Sequence, residues 1–163
     1  MKLIQDELEK VVAKVQTELM LDNLTFECST VNEFLAILAN KKTPIAKYPF
    51  FFVNAQGIEY HDSRTDVIVS VPDIVIATYS DSKWSRRERD EQSFKPILNR
   101  IYEVFEDKLN RDRNLDITTY GKRINHYFYG KTGLNGYEEG IYPDHVDAIQ
   151  LRNFQFRIKN NCK

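Results

Sequence analysis

Few residues in this chain have the types and spacing that catalysis needs. Its three histidines, His61, His126 and His145, lie far apart and in no H-x3-H or H-E-x-x-H arrangement that would set ligands around zinc. The acid nearest each, such as Asp62 or Asp144, is a chain neighbour, and neighbours on a strand point to opposite faces. Surface or half-buried histidines are the expectation. Cys28 sits in an apolar alternation with Leu24 and Phe26 and reads as a small core hydrophobe rather than a nucleophile. Asp66 and Asp73 flank the segment DVIVSVPDIVIATY, with Glu88, Asp90 and Glu91 beyond it, and a nuclease gathers such carboxylates around Mg2+. Those sites usually add a lysine two residues past an acid within a strand, and residues 48–82 contain none. Gly130, Lys131 and Thr132 imitate the end of a phosphate loop. The glycine five residues earlier is replaced by Asn125, and no helical pattern follows, so that reading is rejected. No catalytic residue, cofactor or metal is expected.

The segment from Lys83 to Lys95 has a stronger claim to function. Lys83, Arg86, Arg87, Arg89 and Lys95 accompany Trp84, a combination that can bind a nucleic-acid backbone and stack a base. Glu88, Asp90 and Glu91 interleave with them and leave a net of only +2. Intersubunit salt bridges, or helical pairs such as Arg87–Glu91, fit that alternation at least as well. Trp84, Arg86, Arg87 and Arg89 are therefore read as protein-contact residues. Tyr137 and Tyr142 join them from the glycine-rich stretch Gly130–Asp144, because loops of that length are usually functional or flexible.

Composition bounds the rest. The chain has 163 residues, 42% of them hydrophobic, with 10 Phe and 9 Tyr, enough to fill the core of one domain spanning 1–163. Its net charge of −1 excludes a globally basic nucleic-acid binder or an acidic tail protein. Two cysteines, Cys28 and Cys162, make no disulfide framework and point to a reducing compartment. The first residues include acids and no uninterrupted apolar run, so no secretory leader is expected, and nothing approaches the roughly 20 apolar residues of a membrane span. The charge is nonetheless polarised. Lys2, Lys10 and Lys14 face seven acids within residues 1–40, a net of −4, whereas residues 117–163 carry a net of +3. Opposite poles suit head-to-tail packing of identical subunits, although charge alone favours the plainer reading that each pole is the solvated face of its own element.

The elements that position these residues follow from periodicity. Ile4, Leu8, Val11, Val12, Val15 and Leu19 predict a helix over about 2–21, with Asp6, Glu7 and Glu9 complementing its dipole. A short strand through Leu24, Phe26 and Cys28 leads to a second helix capped by Thr30 or Asn32 and ending near Asn40. Lys41 to Pro49 reads as a connection. The centre is β-rich: Phe50–Val53, then Ile58–His61 after a turn at Gly57, then the long run 66–79. Pro72 inside that run predicts an edge position, a bulge or a bend. Ser93 is a plausible cap for a helix to Asn110, which would put Pro96 in its first turn. Ile117–Tyr120 and Ile124–Tyr129 are expected to pair with each other through Gly121. In the last strand, Val146 to Ile158, the apolar parity changes near Arg152–Asn153, which implies a one-residue register change. The expected class is α+β: a mostly antiparallel sheet flanked by two or three helices, with a long N-terminal helix.

Three segments carry a resemblance. Asp66–Ile74 (D-V-x-V-x-V-P-x-I), Glu88–Tyr102 (E-R-x-E-x-S-F-K-P-I-L-x-x-I-Y) and Asp147–Phe154 (D-A-I-Q-L-R-N-F) resemble small proteins from structural gene blocks of phages and prophages of Bacteroides-type hosts, crAss-like phages among them. Such proteins are similar to the tail-terminator, tail-completion and head–tail joining group. The resemblance covers roughly half the chain and omits both the first helix and the 130–144 stretch. It implies an α+β, non-enzymatic subunit made in the bacterial cytoplasm and built into the virion neck or tail. Its partners would be further copies of itself in a homo-oligomeric ring and the adjoining portal, neck or tail-tube proteins. Genomic DNA would pass through the channel without sequence-specific binding, and no membrane would be involved. A small metal-dependent phage nuclease using Asp66 or Asp73, or a DNA-binding accessory protein, remains the alternative.

Overall fold

Two 14-residue strands dominate the computed structural model, which describes residues 3–62, 66–118, 123–129 (backbone only) and 144–159. The elements run α1 (Ile4–Leu19), β1 (Thr25–Ser29), α2 (Val31–Asn40), α3 (Pro44–Lys47), β2 (Phe50–Asn54), β3 (Glu59–Asp62) and β4 (Asp66–Tyr79). A helical stretch follows as α4 (Arg86–Arg89), a π-helical segment (Asp90–Leu98) and α5 (Asn99–Asn110), and then β5 (Leu115–Ile117), β6 (Arg123–Tyr129) and β7 (Val146–Lys159). The class is α+β, as the sequence predicts.

β4 and β7 pair antiparallel along their whole length and form the spine of one mixed, mostly antiparallel sheet. Each has its outer side shared by two short strands. β2 lies along Ile74–Ala77 of β4 and β3 along Val67–Ser70, while β6 lies along Val146–Arg152 of β7 and β5 along Phe156–Ile158. β1 adds to β2 in parallel at one edge.

Burial assigns the two faces. On one, Ile4, Leu8, Val11, Val12 and Val15 of α1 and Phe94, Leu98, Ile101, Phe105 and Leu109 of the long helix cover Phe51, Val53, Val69, Val71, Ile74, Ile76, Ile149, Leu151, Phe154 and Phe156. The Phe51 and Phe105 rings meet there at 4.7 Å. On the other face, Phe34 and Leu38 of α2 cover Phe50, Phe52, Val75, Ala77, Val146 and Ala148, with Phe34 stacked on Phe52 at 4.2 Å. The 74–78 part of β4 is thus buried on both faces and the 66–71 half on one, which is why only the former holds a continuous apolar run, Ile74–Ala77.

Several local expectations are refined. Thr30, not Asn32, caps α2, in a reciprocal box with Glu33. The connection 41–49 contains the single turn α3, started by Thr43 and Pro44. The long helix begins at Ser85 rather than Ser93, so Ser93 is a buried interior residue and Pro96 lies well inside. An α-helix would drive the proline ring into the carbonyl four residues back; the wider π turn moves that carbonyl away and leaves room for the ring. β5 and β6 do not pair with each other but follow one another along β7.

The two suspected irregularities, at Pro72 and at Arg152–Asn153, are a single feature. Val71 pairs with Phe154 and Asp73 with Arg152, so Pro72 and Asn153 stand opposite each other and drop out of the ladder together. Asn153 takes a left-handed conformation, φ 53°. Val67, Val69 and Val71 then share a face with Ile74 and Ile76, and Phe154, Phe156 and Ile158 with Ile149 and Leu151. Each strand changes parity at the same level, and no register change is needed. Pro72 is accordingly not on an edge strand: it sits in a central one, where its partner has also given up its place.

Candidate subunit interface

Backbone turns fix the segment that carries most of the predicted contact residues. Asp81 accepts from the Lys83 N–H (2.9 Å) through its side chain and from the Trp84 N–H (3.1 Å) through its carbonyl. Ser85 and Glu88 then close a capping box: the Ser85 N–H donates to Glu88 Oε2 (2.6 Å) and the Glu88 N–H to Ser85 Oγ (3.3 Å). The donation from Ser85 holds the Glu88 carboxyl below its ordinary range. Arg86 and Arg87 project outward from the first turn, Arg87 paired with Glu91 at 3.0 Å, and Trp84 is half-buried beside them.

Arg89 points the other way. Its Nη1 donates to Asp147 Oδ1 (2.6 Å) and Ser80 Oγ (2.7 Å), its Nε to the Trp84 carbonyl and its Nη2 to the Asp81 carbonyl (both 3.3 Å). Asp147 is fully buried and the Arg89 side chain is 14% exposed. The guanidinium therefore closes the 80–85 turn and pins it to the end of β7. Arg89 is spent inside the chain, so of the four residues read as contacts here, Arg86 and Arg87 supply charge at the surface and Trp84 a partial ring face.

The second predicted contact region, 130–144, lies outside the described residues except for Asp144, and so do Tyr137 and Tyr142. Its base is well held. Asp144 accepts from Lys47 Nζ (2.9 Å) and the Tyr48 hydroxyl (3.2 Å), and the His145 carbonyl accepts from the Ser80 N–H (2.9 Å). The base of this segment and the Trp84–Arg89 turn consequently meet at one end of the central strand pair.

The charge poles separate along the sheet. Asp6 and Glu9 are exposed on α1 next to Glu27 of β1 at one edge; Arg152, Arg157 and Lys159 lie on β7, beside the opposite edge. Lys159 pairs with Asp116 at 2.8 Å, and the Arg152 guanidinium donates to Gln150 Oε1 at 3.2 Å.

The residues weighed for chemistry are scattered. Asp66 and Asp73 stand seven residues apart on β4, a separation of about 23 Å at strand rise, too far to share one ion. Burial pushes the Asp73 carboxyl up, against donation from Gln150 and the charge of Arg152. Among the described residues no three His, Cys, Asp or Glu side chains converge as a metal site. His61 is exposed, 3.5 Å from Glu59, and the His126 side chain and the Gly130–Thr132 tripeptide lie outside the described residues. Burial raises the Cys28 thiol to about 11, which leaves it protonated and unreactive near neutrality.

Sequence reasoning missed the buried pair Arg89–Asp147 and the helix start at Ser85. The S-x-x-E signature of Ser85–Glu88 was available, but no apolar periodicity accompanies it in so polar a stretch. No family model, curated protein or solved structure matches the chain.

Proposed function

We propose that this chain is a structural, non-enzymatic subunit of a phage virion, one protomer of a ring at the head–tail neck or the tail terminus. The observation that carries the reading is the placement of its charge. Asp6, Glu9 and Glu27 sit at the β1 edge of the sheet, whereas Arg152, Arg157 and Lys159 lie on β7 toward its other side, an arrangement that lets identical subunits associate head to tail around a closed ring. The convergence of the Trp84–Arg87 surface and the base of the 130–144 segment at one end of the spine supports it, giving neighbouring proteins one place to engage. The resemblance of the β4, long-helix and β7 segments to phage neck and tail proteins supplies the setting. Portal, neck or tail-tube proteins would flank the ring, with DNA passing through without base recognition. The nuclease alternative gains nothing from Asp66 and Asp73, which cannot share a metal.

The test is the solution mass of the purified protein together with negative-stain images. Closed rings with a hole wide enough for a duplex are the expected result. A monomer that cleaves DNA with a divalent metal, and loses that activity in D66A or D73A, would replace this reading with the nuclease.

A further inference from the structure

We infer that the open edge of β1 is the seat of a second copy of this chain, which docks its β6 strand there to continue the sheet from one protomer into the next. The inference rests on the ring reading above and specifies its joint.

The hydrogen-bond phase of β1 is fixed at both ends. The Thr25 N–H donates to the Pro49 carbonyl at 3.1 Å, and the Ser29 carbonyl accepts from the Ala55 N–H at 2.9 Å. In a parallel ladder with Thr25 opposite Phe50, the backbone groups of Thr25, Glu27 and Ser29 turn toward β2. Those of Phe26 and Cys28 turn outward, where no strand lies among the described residues and no hydrogen bond reaches them. Two N–H groups and two carbonyls therefore form a ready template for another strand. No proline or bulge blunts this edge, and the one charge within β1 is the acid Glu27, which repels an acidic strand and admits a basic one.

The chemistry of the rim selects the occupant. Asp6, Glu9 and Glu27 line a groove between the start of α1 and Phe26–Cys28 of β1, and they favour a strand from a basic region. The far edge of the same sheet supplies one. β6 opens with Arg123 and belongs to the part of the chain with a net charge of +3. Direction also fits. β1 runs with β2 and against β4, β7 runs against β4, and β6 runs against β7, so β6 is opposite in sense to β1. A second copy set beside the first in the same orientation brings β6 against β1 as an antiparallel pair. The contact is heterologous, so repeating it closes a ring or extends a filament.

Amide hydrogen exchange on the full-length protein, above and below its association concentration, tests this. Thr25 and Glu27, bonded to β2, should exchange slowly in both states. Phe26 and Cys28 should slow by at least about tenfold only in the assembled state. D6K/E9K, two exposed helix positions, should raise the concentration needed for assembly by about tenfold, while the monomer stays folded with only the modest loss of thermal stability that reversing acids near a helix start brings. C28P removes an outward N–H without taking a bond from β2, and should abolish assembly; if it does not fold, the wild-type exchange data decide alone. An oligomer whose Phe26 and Cys28 amides exchange as fast as in the monomer overturns the docking while leaving the ring reading intact. Protection of both amides at every dilution would mean that this chain covers its own edge, and also overturns it. A monomer at all concentrations with both amides unprotected overturns both readings.

Discussion

Replacing Arg89 with alanine should destabilise this protein far more than any other surface-helix arginine. Asp147, with no exposure, has the Arg89 guanidinium 2.6 Å from its Oδ1, and its Oδ2 has no hydrogen-bond partner among the described residues. The same guanidinium serves Ser80 Oγ and the carbonyls of Trp84 and Asp81, all of which would lose a donor. Removing one partner of such a pair strands a buried charge, at a cost of about 3–5 kcal/mol. For a chain of this size that corresponds to a fall of roughly 6–20 °C in melting temperature. Arg87, 87% exposed beside Glu91, is the internal comparison: R87A should cost no more than about 1 kcal/mol. R89K should fall between them, since a point charge cannot reach four acceptors at once. R89M/D147V, which removes both charges, should recover at least half the loss, because much of the single-variant penalty belongs to the uncompensated carboxylate. Urea unfolding followed by circular dichroism, with the slope compared between variants, reads all four. An R89A loss as small as that of R87A, or a double variant as unstable as the sum of the singles, would refute the reasoning.

R86E/R87E should weaken assembly by about tenfold, measured by sedimentation, while leaving the melting temperature nearly unchanged; the Arg89 result explains why that residue is left out of the reversal. F105A should cost about 3–5 kcal/mol in chemical denaturation, since the ring is fully buried and packed against Phe51. Two carboxylates should give pH signatures of opposite sign. Asp112 is raised by burial, but donation from the Asn114 N–H and from Lys14 outweighs this and holds its folded value below 3.8, so its contribution is present above that value and lost as pH falls through the folded one. Burial lifts Asp73 above the same value, so the folded form binds its proton more tightly and stability declines as pH rises through that window. Thermal melts between acid and neutral pH should show D112N losing stability relative to wild type only on the neutral side, and D73N gaining there.

The elements legible in the sequence are those whose residues report on a single face. α1 repeats its apolar residues at helical spacing and the half-buried start of β4 alternates, and the bounds of both fall close to expectation. The Ser85 start was hidden because α4 buries no apolar residue: what fixes it is a cap and an arginine reaching an aspartate far along the chain. The same distance hid Asp147, which in D-A-I-Q-L looks like the polar margin of a strand and is instead its most enclosed charge. β5 and β6 were paired with each other because chain neighbours usually are, whereas the length of β7 leaves room for both in a row. The open edge of β1 has no signature in composition, because an unpaired N–H leaves no trace in the choice of side chain.

The crease where Pro72 meets Asn153 has a meaning for heredity. Shortening β4 by Pro72 alone would leave every side chain of that strand on its present face, yet it would slide one half against β7 or strand Asn153 as a one-sided bulge. Loss of Asn153 alone does the mirror image. Removing both returns a regular ladder with the faces and partners kept. Two codons far apart in the gene therefore behave as one heritable unit. Descendants of this sequence should carry the extra residue in both strands or in neither, and a lineage caught with only one would show its repair in the partner strand.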